Sequence, residues 1–189
     1  MIAYIHGFNS SPASSKAQLL KARLEALGRG AEFAAPALPH RPAQAAALLD
    51  EFAERNPGAA LVGSSLGGYY ATYLAQRHGL NAVLLNPAVR PYELLAGHLG
   101  PQQNFHTGES YEFTARHVDE LRVLEVAVIT PEHYFLVAAT GDEVLDYRAA
   151  VARYRGCRQL VIEGGDHGLS DFANYADAVL EFCGVPRRT

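Results

Sequence analysis

Short continuous apolar runs alternate along this chain with stretches whose apolar residues recur every three or four positions. Residues 1–5 read as a buried strand that stops at His6-Gly7. Leu20, Leu24 and Leu27 share one face of a helix over 17–27, with Ser14 or Ser15 available as N-cap and Gly28 as the stop. Residues 32–35 predict a short strand, 42–55 a helix with Pro42 suited to its first turn, 59–62 a strand and 67–78 a helix. A strand over 82–85 closes at Asn86-Pro87. From about 88 to 131 the rhythm breaks. This stretch holds a short helical segment around Leu94, then sequence mixing Gly, His and aromatic residues, then a run over 118–129 that is ambiguous between helix and strand. Regularity returns with a strand over 134–139, a helix over 147–154, a strand over 159–162 and a helix over 174–182.

Alternating strands and helices, with strands that are apolar throughout, imply a mostly parallel sheet of about six strands with helices on both faces. The 189 residues suit one domain, with 88–131 as an insertion over one end of the sheet. A net charge of −4 without any Lys/Arg cluster argues against a nucleic-acid partner. Cys157 and Cys183 lie far apart with no C-x-x-C spacing, so neither a metal site nor a redox motif is expected. The first apolar run is too short for a signal peptide, and none approaches a membrane span. The expectation is a soluble cytoplasmic protein with no membrane partner.

The sharpest local signal is Gly63-Ser64-Ser65-Leu66-Gly67, between a predicted strand and a predicted helix. A strand–turn–helix with Gly-x-Ser-x-Gly is the context of a nucleophile elbow, the hallmark of the α/β-hydrolase fold. Centring the motif on Ser64 would put Val62 and Leu66 at the glycine positions, so Ser65 is the candidate nucleophile. An ordinary tight strand–helix turn, with or without a bound phosphate, is the plainer alternative. A serine hydroxyl needs a histidine base, and the base needs an acid to hold its tautomer. In this fold they follow the nucleophile in the order acid, histidine. Asp142 directly follows the predicted strand 134–139, and His167 sits in Gly164-Gly165-Asp166-His167-Gly168 before the last helix. Glu143, Asp146 and Asp166 compete as the acid; Asp142 is favoured because it comes first after the strand end.

Backbone N–H groups of Leu66, after the nucleophile, and of Phe8, in the loop after the first strand, are the candidate oxyanion donors. The other histidines read differently: His6 as a brace for that loop, and His78, His98, His106, His117 and His133 as mostly surface groups. Tyr69, Tyr70 and Tyr73 read as packing residues, while Tyr92, Phe105 and Tyr111 could line an acyl pocket or anchor the insertion. No G-x-G-x-x-G follows a strand and no Gly-Lys-Ser/Thr occurs, which disfavours a nucleotide-binding domain.

Several segments taken together resemble the YqiA-type esterases, small bacterial α/β-hydrolase proteins. They are His6 to Pro12, Gly63 to Thr72, Asn86 to Pro91, Thr140 to Arg148 and Glu163 to His167, so the resemblance spans essentially the whole chain. It implies an esterase acting on small-molecule acyl esters or thioesters, in the cytoplasm and without a cofactor, with Ser65, Asp142 and His167 at the family's nucleophile, acid and histidine motifs. There are two departures. The first strand leads straight into the oxyanion loop, without the preceding strands of larger α/β hydrolases. Asp166 stands where family members often carry Asn, and an added carboxylate there could raise the histidine's pKa or offer it a wrong partner. The expected activity is carboxylester hydrolysis; the alternatives are a thioesterase or acyltransferase using the same three groups, or a non-catalytic ligand-binding module.

Overall fold

The structure is a computed structural model and describes residues 1–186. Its centre is a six-stranded sheet with every neighbouring pair parallel. In chain order the elements begin β1 (Ile2–Ile5), α1 (Ser15–Ala26), β2 (Phe33–Ala34), α2 (Pro42–Arg55), β3 (Ala60–Ser64), α3 (Leu66–His78) and β4 (Ala82–Leu85). After an irregular middle stretch come β7 (Tyr134–Ala139), α6 (Tyr147–Arg153), β8 (Arg158–Ile162) and α7 (Ala176–Phe182). The sheet order is β2-β1-β3-β4-β7-β8.

Because side chains alternate across a strand, each central strand feeds two cores. Ala3, Ile5, Leu61, Leu84 and Leu136 face one side, with residues of α2, α3 and α6. Ile2, Tyr4, Val62, Val83 and Val137 face the other, with α1 and α7. The four central strands are buried throughout, which is why they read as unbroken apolar runs. Each large side chain so buried contributes about 1.5–3 kcal/mol of transfer free energy.

The irregular middle contains α4 (Pro91–Leu95), an antiparallel hairpin of β5 (Gly100–Gln103) and β6 (Ser110–Phe113), and α5 (Ala115–Val123). The hairpin was illegible in the sequence because Gly-Pro-Gln-Gln carries no apolar alternation. The ambiguous run over 118–129 resolves into the end of α5 followed by a loop. His117, expected at the surface, is 7% exposed and stacks on Phe113 at 5.2 Å. His78 is likewise partly buried, its Nε2 lying 2.8 Å from Asp50 Oδ1.

The loop after β1 is braced by His6, which is 6% exposed. Its Nδ1–H donates to the Gly7 carbonyl (3.0 Å) and its Nε2 accepts from the Leu38 N–H (3.1 Å), so the ring is the neutral Nδ1 tautomer. Burial holds its pKa below the ordinary 6.5, against the opposing bond to Gly7. A second buried brace joins α3 to α6 and β7. Thr72 Oγ1 donates to the Gly68 carbonyl (2.8 Å) and accepts from the Tyr154 hydroxyl (2.8 Å), while the Tyr134 hydroxyl donates to the Thr72 carbonyl (3.2 Å).

Thr72→Val strands the Tyr154 hydroxyl in the core and should cost about 1–3 kcal/mol in urea unfolding. Tyr154→Phe leaves Thr72 its bond to Gly68 and should cost less, about 1 kcal/mol. For His6, the unfolded chain takes up a proton near pH 6.5 while the folded chain does so only at lower pH. Its contribution is therefore fully present above that pH and lost as pH falls through the depressed folded value. Urea midpoints measured from pH 7.5 downward should fall in wild type and fall less in His6→Gln, whose amide can keep both bonds.

Candidate active site

Ser65 occupies the turn where β3 reaches the carboxyl edge of the sheet and α3 begins at once. It adopts φ +54° and ψ −120°, a conformation that costs a non-glycine residue about 1–3 kcal/mol. The turn is bonded on both sides: the Ser65 N–H donates to the Leu85 carbonyl (3.0 Å), and its own carbonyl accepts from Gly68 (2.9 Å) and Ala88 (3.1 Å). A Cβ on Gly63 would run into the Gly67 backbone, and one on Gly67 into the Ile5 carbonyl. The two glycines of the pentapeptide are thus required by backbone approaching backbone, and they let α3 settle against β1 and β3.

Asp142 lies in the turn after β7, its side chain 2% exposed. Its Oδ1 accepts from the Val144 (2.9 Å) and Leu145 (2.8 Å) N–H groups, and its Oδ1 and Oδ2 lie 3.0 and 2.8 Å from His167 Nδ1. Burial pushes this carboxyl up, but the bonds from His167, Leu145 and Val144 outweigh it and hold it below the ordinary value of 3.8. His167 Nε2 lies 3.1 Å from Ser65 Oγ. Three groups far apart in sequence thus form one continuous chain of hydrogen bonds. With Asp142 ionised, Nδ1 carries the proton and Nε2 is left to accept from the serine hydroxyl.

The competing carboxylates are occupied elsewhere. Glu143 Oε2 accepts from the His167 backbone N–H (2.9 Å), which ties the histidine loop to the acid turn. Asp146 caps α6 through the Arg148 N–H (3.0 Å). Asp166 Oδ1 accepts from the Ser170 N–H (3.1 Å), and the Ser170 bonds first, with Lys16 as a lesser influence, hold its pKa low.

Several positioning contacts had no signal in the sequence reading. Asn86 is 4% exposed at φ +39°; its Nδ2 donates to the carbonyls of Asp166 (3.0 Å) and His167 (3.1 Å), and its Oδ1 accepts from the Ala139 N–H (2.8 Å). Asn86 therefore welds the histidine loop to the end of β7. Lys16 Nζ, from α1, donates to the Gly168 carbonyl (2.5 Å). Thr140 Oγ1 accepts from the Gly164 N–H (2.8 Å), and a Cβ on Gly141 would collide with the Gly165 carbonyl. Neither Asn86, whose left-handed φ is visible only in the structure, nor Lys16 was marked in the sequence.

The loop after β1 packs against Ser65: a Cβ on Gly7 would stand 3.2 Å from Ser65 Cβ and 3.7 Å from its Oγ. Phe8 follows in that loop, and Leu66 opens α3, where the first N–H groups have no partner within the helix. Phe8 and Leu66 both border a cavity of about 50 Å³ that extends beneath the β5–β6 hairpin to Tyr111 and Phe113. A larger cavity of about 800 Å³ lies between α3, α6 and residues 124–127, with Pro87 and Leu145 in its wall; neither Ser65 nor His167 lines it. Of the three aromatic residues left open, Tyr92 is 6% exposed in the core, beneath the Arg122 guanidinium. Tyr111 donates to Asn9 Oδ1 (2.6 Å) and borders the small cavity, while the Phe105 side chain is 83% exposed. Among the described residues no cluster of His, Cys, Asp and Glu is arranged to hold a metal ion, and no helix is long and apolar enough to cross a membrane.

Solved structures share this architecture. Est1E from Butyrivibrio proteoclasticus, solved with ferulic acid bound, superposes with a TM-score of 0.69 at 18% identity over 96% of this chain and 86% of its own. A pyrethroid hydrolase from Sphingobium faniae JZ-2 gives 0.64 at 18% identity, covering 98% and 97%. A monoacylglycerol lipase from Paleococcus ferrophilus gives 0.67 at 14% identity, covering 98% and 94%. At these identities the likeness establishes the α/β-hydrolase fold. Residues 1–184 match the family described as "Uncharacterised protein family (UPF0227)", which is the YqiA family that the sequence motifs resembled. The chain belongs to the UPF0227 family of α/β-hydrolase fold proteins.

Proposed function

We propose that the chain is a serine carboxylesterase that hydrolyses small-molecule acyl esters through an acyl-enzyme on Ser65. The observation that carries this reading is the unbroken relay from Ser65 Oγ to His167 Nε2 (3.1 Å) and from His167 Nδ1 to Asp142 (2.8 Å). His167 takes the hydroxyl proton as Ser65 Oγ bonds to the ester carbonyl carbon. The carbonyl electron pair moves to oxygen, where the N–H groups of Phe8 and Leu66 receive the charge. Collapse of that adduct breaks the bond to the alcohol, which leaves with the proton from His167. Water then attacks the acyl-enzyme with His167 again as base, releasing the carboxylic acid and restoring the serine.

Asp142 remains a carboxylate across the neutral range because its pKa lies below 3.8, so it steadies the imidazolium without itself taking the proton. The resting enzyme needs no reorganisation of these three side chains before attack. The sequence motifs shared with esterases, and esterases and a lipase among proteins of this fold, agree with the reading.

Hydrolysis of nitrophenyl esters should be abolished in Ser65→Ala, and a fluorophosphonate should add one adduct to wild type and none to that variant. Asp142→Asn should lower kcat by about 10⁴-fold, because a neutral amide no longer enforces the Nδ1–H tautomer. Folded wild type that neither turns over these esters nor takes up the fluorophosphonate would overturn the reading. Matched thioesters turned over far faster than esters would reassign the substrate to acyl thioesters with the same chemistry.

A further inference from the structure

The loop that carries Phe8 is held by the insertion as well as by the sheet. Residues 7–10 close a turn, with the Ser10 N–H donating to the Gly7 carbonyl (3.3 Å). Phe8 and Asn9 are its two central residues, and of these Asn9 alone has positive φ, at +54°. A positive φ at the third position is the type II arrangement, which Asn tolerates better than other residues with side chains. The closing bond of that turn lands on the Gly7 carbonyl, which also accepts from His6 Nδ1–H (3.0 Å) and shares a peptide plane with the Phe8 N–H, so holding the turn holds the direction of that N–H.

Asn9 is 8% exposed, and its side-chain amide and its carbonyl both bond to the hairpin. Its Nδ2 donates to Gln102 Oε1 (3.1 Å), its Oδ1 accepts from the Tyr111 hydroxyl (2.6 Å), and its carbonyl accepts from the Phe105 N–H (2.9 Å). One residue on, the Ser10 carbonyl accepts from Asn104 Nδ2 (2.8 Å). The partners are themselves fixed. Gln102 Nε2 donates to the His98 carbonyl (2.9 Å), Asn104 Oδ1 accepts from the His106 and Thr107 N–H groups (2.9 and 3.0 Å), and the Tyr111 ring stacks on His40 at 4.5 Å. On its other side, Gly7 rests against Ser65.

We propose that Asn9 is a positioning residue, through which the β5–β6 hairpin sets the placement of the Phe8 N–H relative to Ser65. This rests on the oxyanion role given to Phe8 under the proposed function. The hairpin then serves the reaction although none of its residues touches the reacting atoms. A peptide N–H that stabilises charge only when correctly aimed must be held before the charge develops, because reorganising it during the reaction would forfeit the benefit. A buried side-chain amide with both ends bonded to a second structural element supplies that hold.

The test compares wild type with Asn9→Gly, which keeps the left-handed backbone accessible and deletes the latch, and with Tyr111→Phe, which removes one hydroxyl. With a short-chain nitrophenyl ester, kcat should fall about 10–100-fold in Asn9→Gly and by a smaller factor in Tyr111→Phe, with KM within about twofold. Inhibition by a trifluoromethyl ketone, whose adduct with serine places an oxyanion at the same spot, should weaken by the same factor as kcat/KM. A general loss of folded protein would lower the active fraction but leave the inhibition constant of the remainder unchanged, so the two effects separate. Should Asn9→Gly fail to fold, Tyr111→Phe carries the same comparison. Wild-type kcat and inhibition constant in the folded variants would overturn this proposal alone. Absence of ester turnover and of ketone inhibition in wild type would overturn the esterase reading and this proposal with it.

Discussion

Ser65 stands in a backbone conformation that a residue with a side chain adopts at a cost, and the arrangement around it depends on that conformation surviving. It survives because β3, α3 and the end of β1 press together with no Cβ between them at Gly63 and Gly67. The same contact turns the hydroxyl outward at the sheet edge and leaves the first amide of α3 free of a helical partner. It also draws the loop after β1 against Ser65. A substitution at either glycine would therefore disturb Ser65, the helix start and the neighbouring loop together.

The histidine has a different problem. It sits in a loop after the partly exposed strand β8, at the margin of the sheet, and must reach a serine three strands inward. Loops alone do not hold a side chain to hydrogen-bond accuracy. Here Asn86, Glu143, Lys16 and Thr140 bind the main chain of residues 164–168 from four directions. Asn86 matters most, since its amide is buried and its three bonds connect the ends of three adjacent strands. Removing it would leave the buried Ala139 N–H without this acceptor, a larger loss than the bond itself. The ionised state of Asp142 then follows from the amides and imidazole that converge on it.

The β5–β6 hairpin completes the frame on the opposite side. A hairpin with little apolar content would be marginal alone. It is stabilised by pairing with the polar groups of residues 9 and 10 and by the stacking of Tyr111 on His40. Those contacts enclose the small cavity beside Phe8 and Leu66, so a segment remote in sequence bounds the space between the loop after β1 and the start of α3.

The apolar rhythm alone determined the parallel sheet, because central strands buried on both faces must be apolar at every position. The elbow was equally legible, since backbone contact at Gly63 and Gly67 admits only glycine and so leaves a mark in the local sequence. Asp142 and His167 could be located because both directly follow well-marked strands. The hairpin, the Asn86 weld and the Asn9 latch left no such mark. They are polar contacts between residues up to 102 positions apart, and their pairing depends on which loops the folded sheet brings side by side. An Asn whose amide is wholly satisfied in the core reads in the linear string like any Asn in a turn, so only the tertiary structure could decide its role.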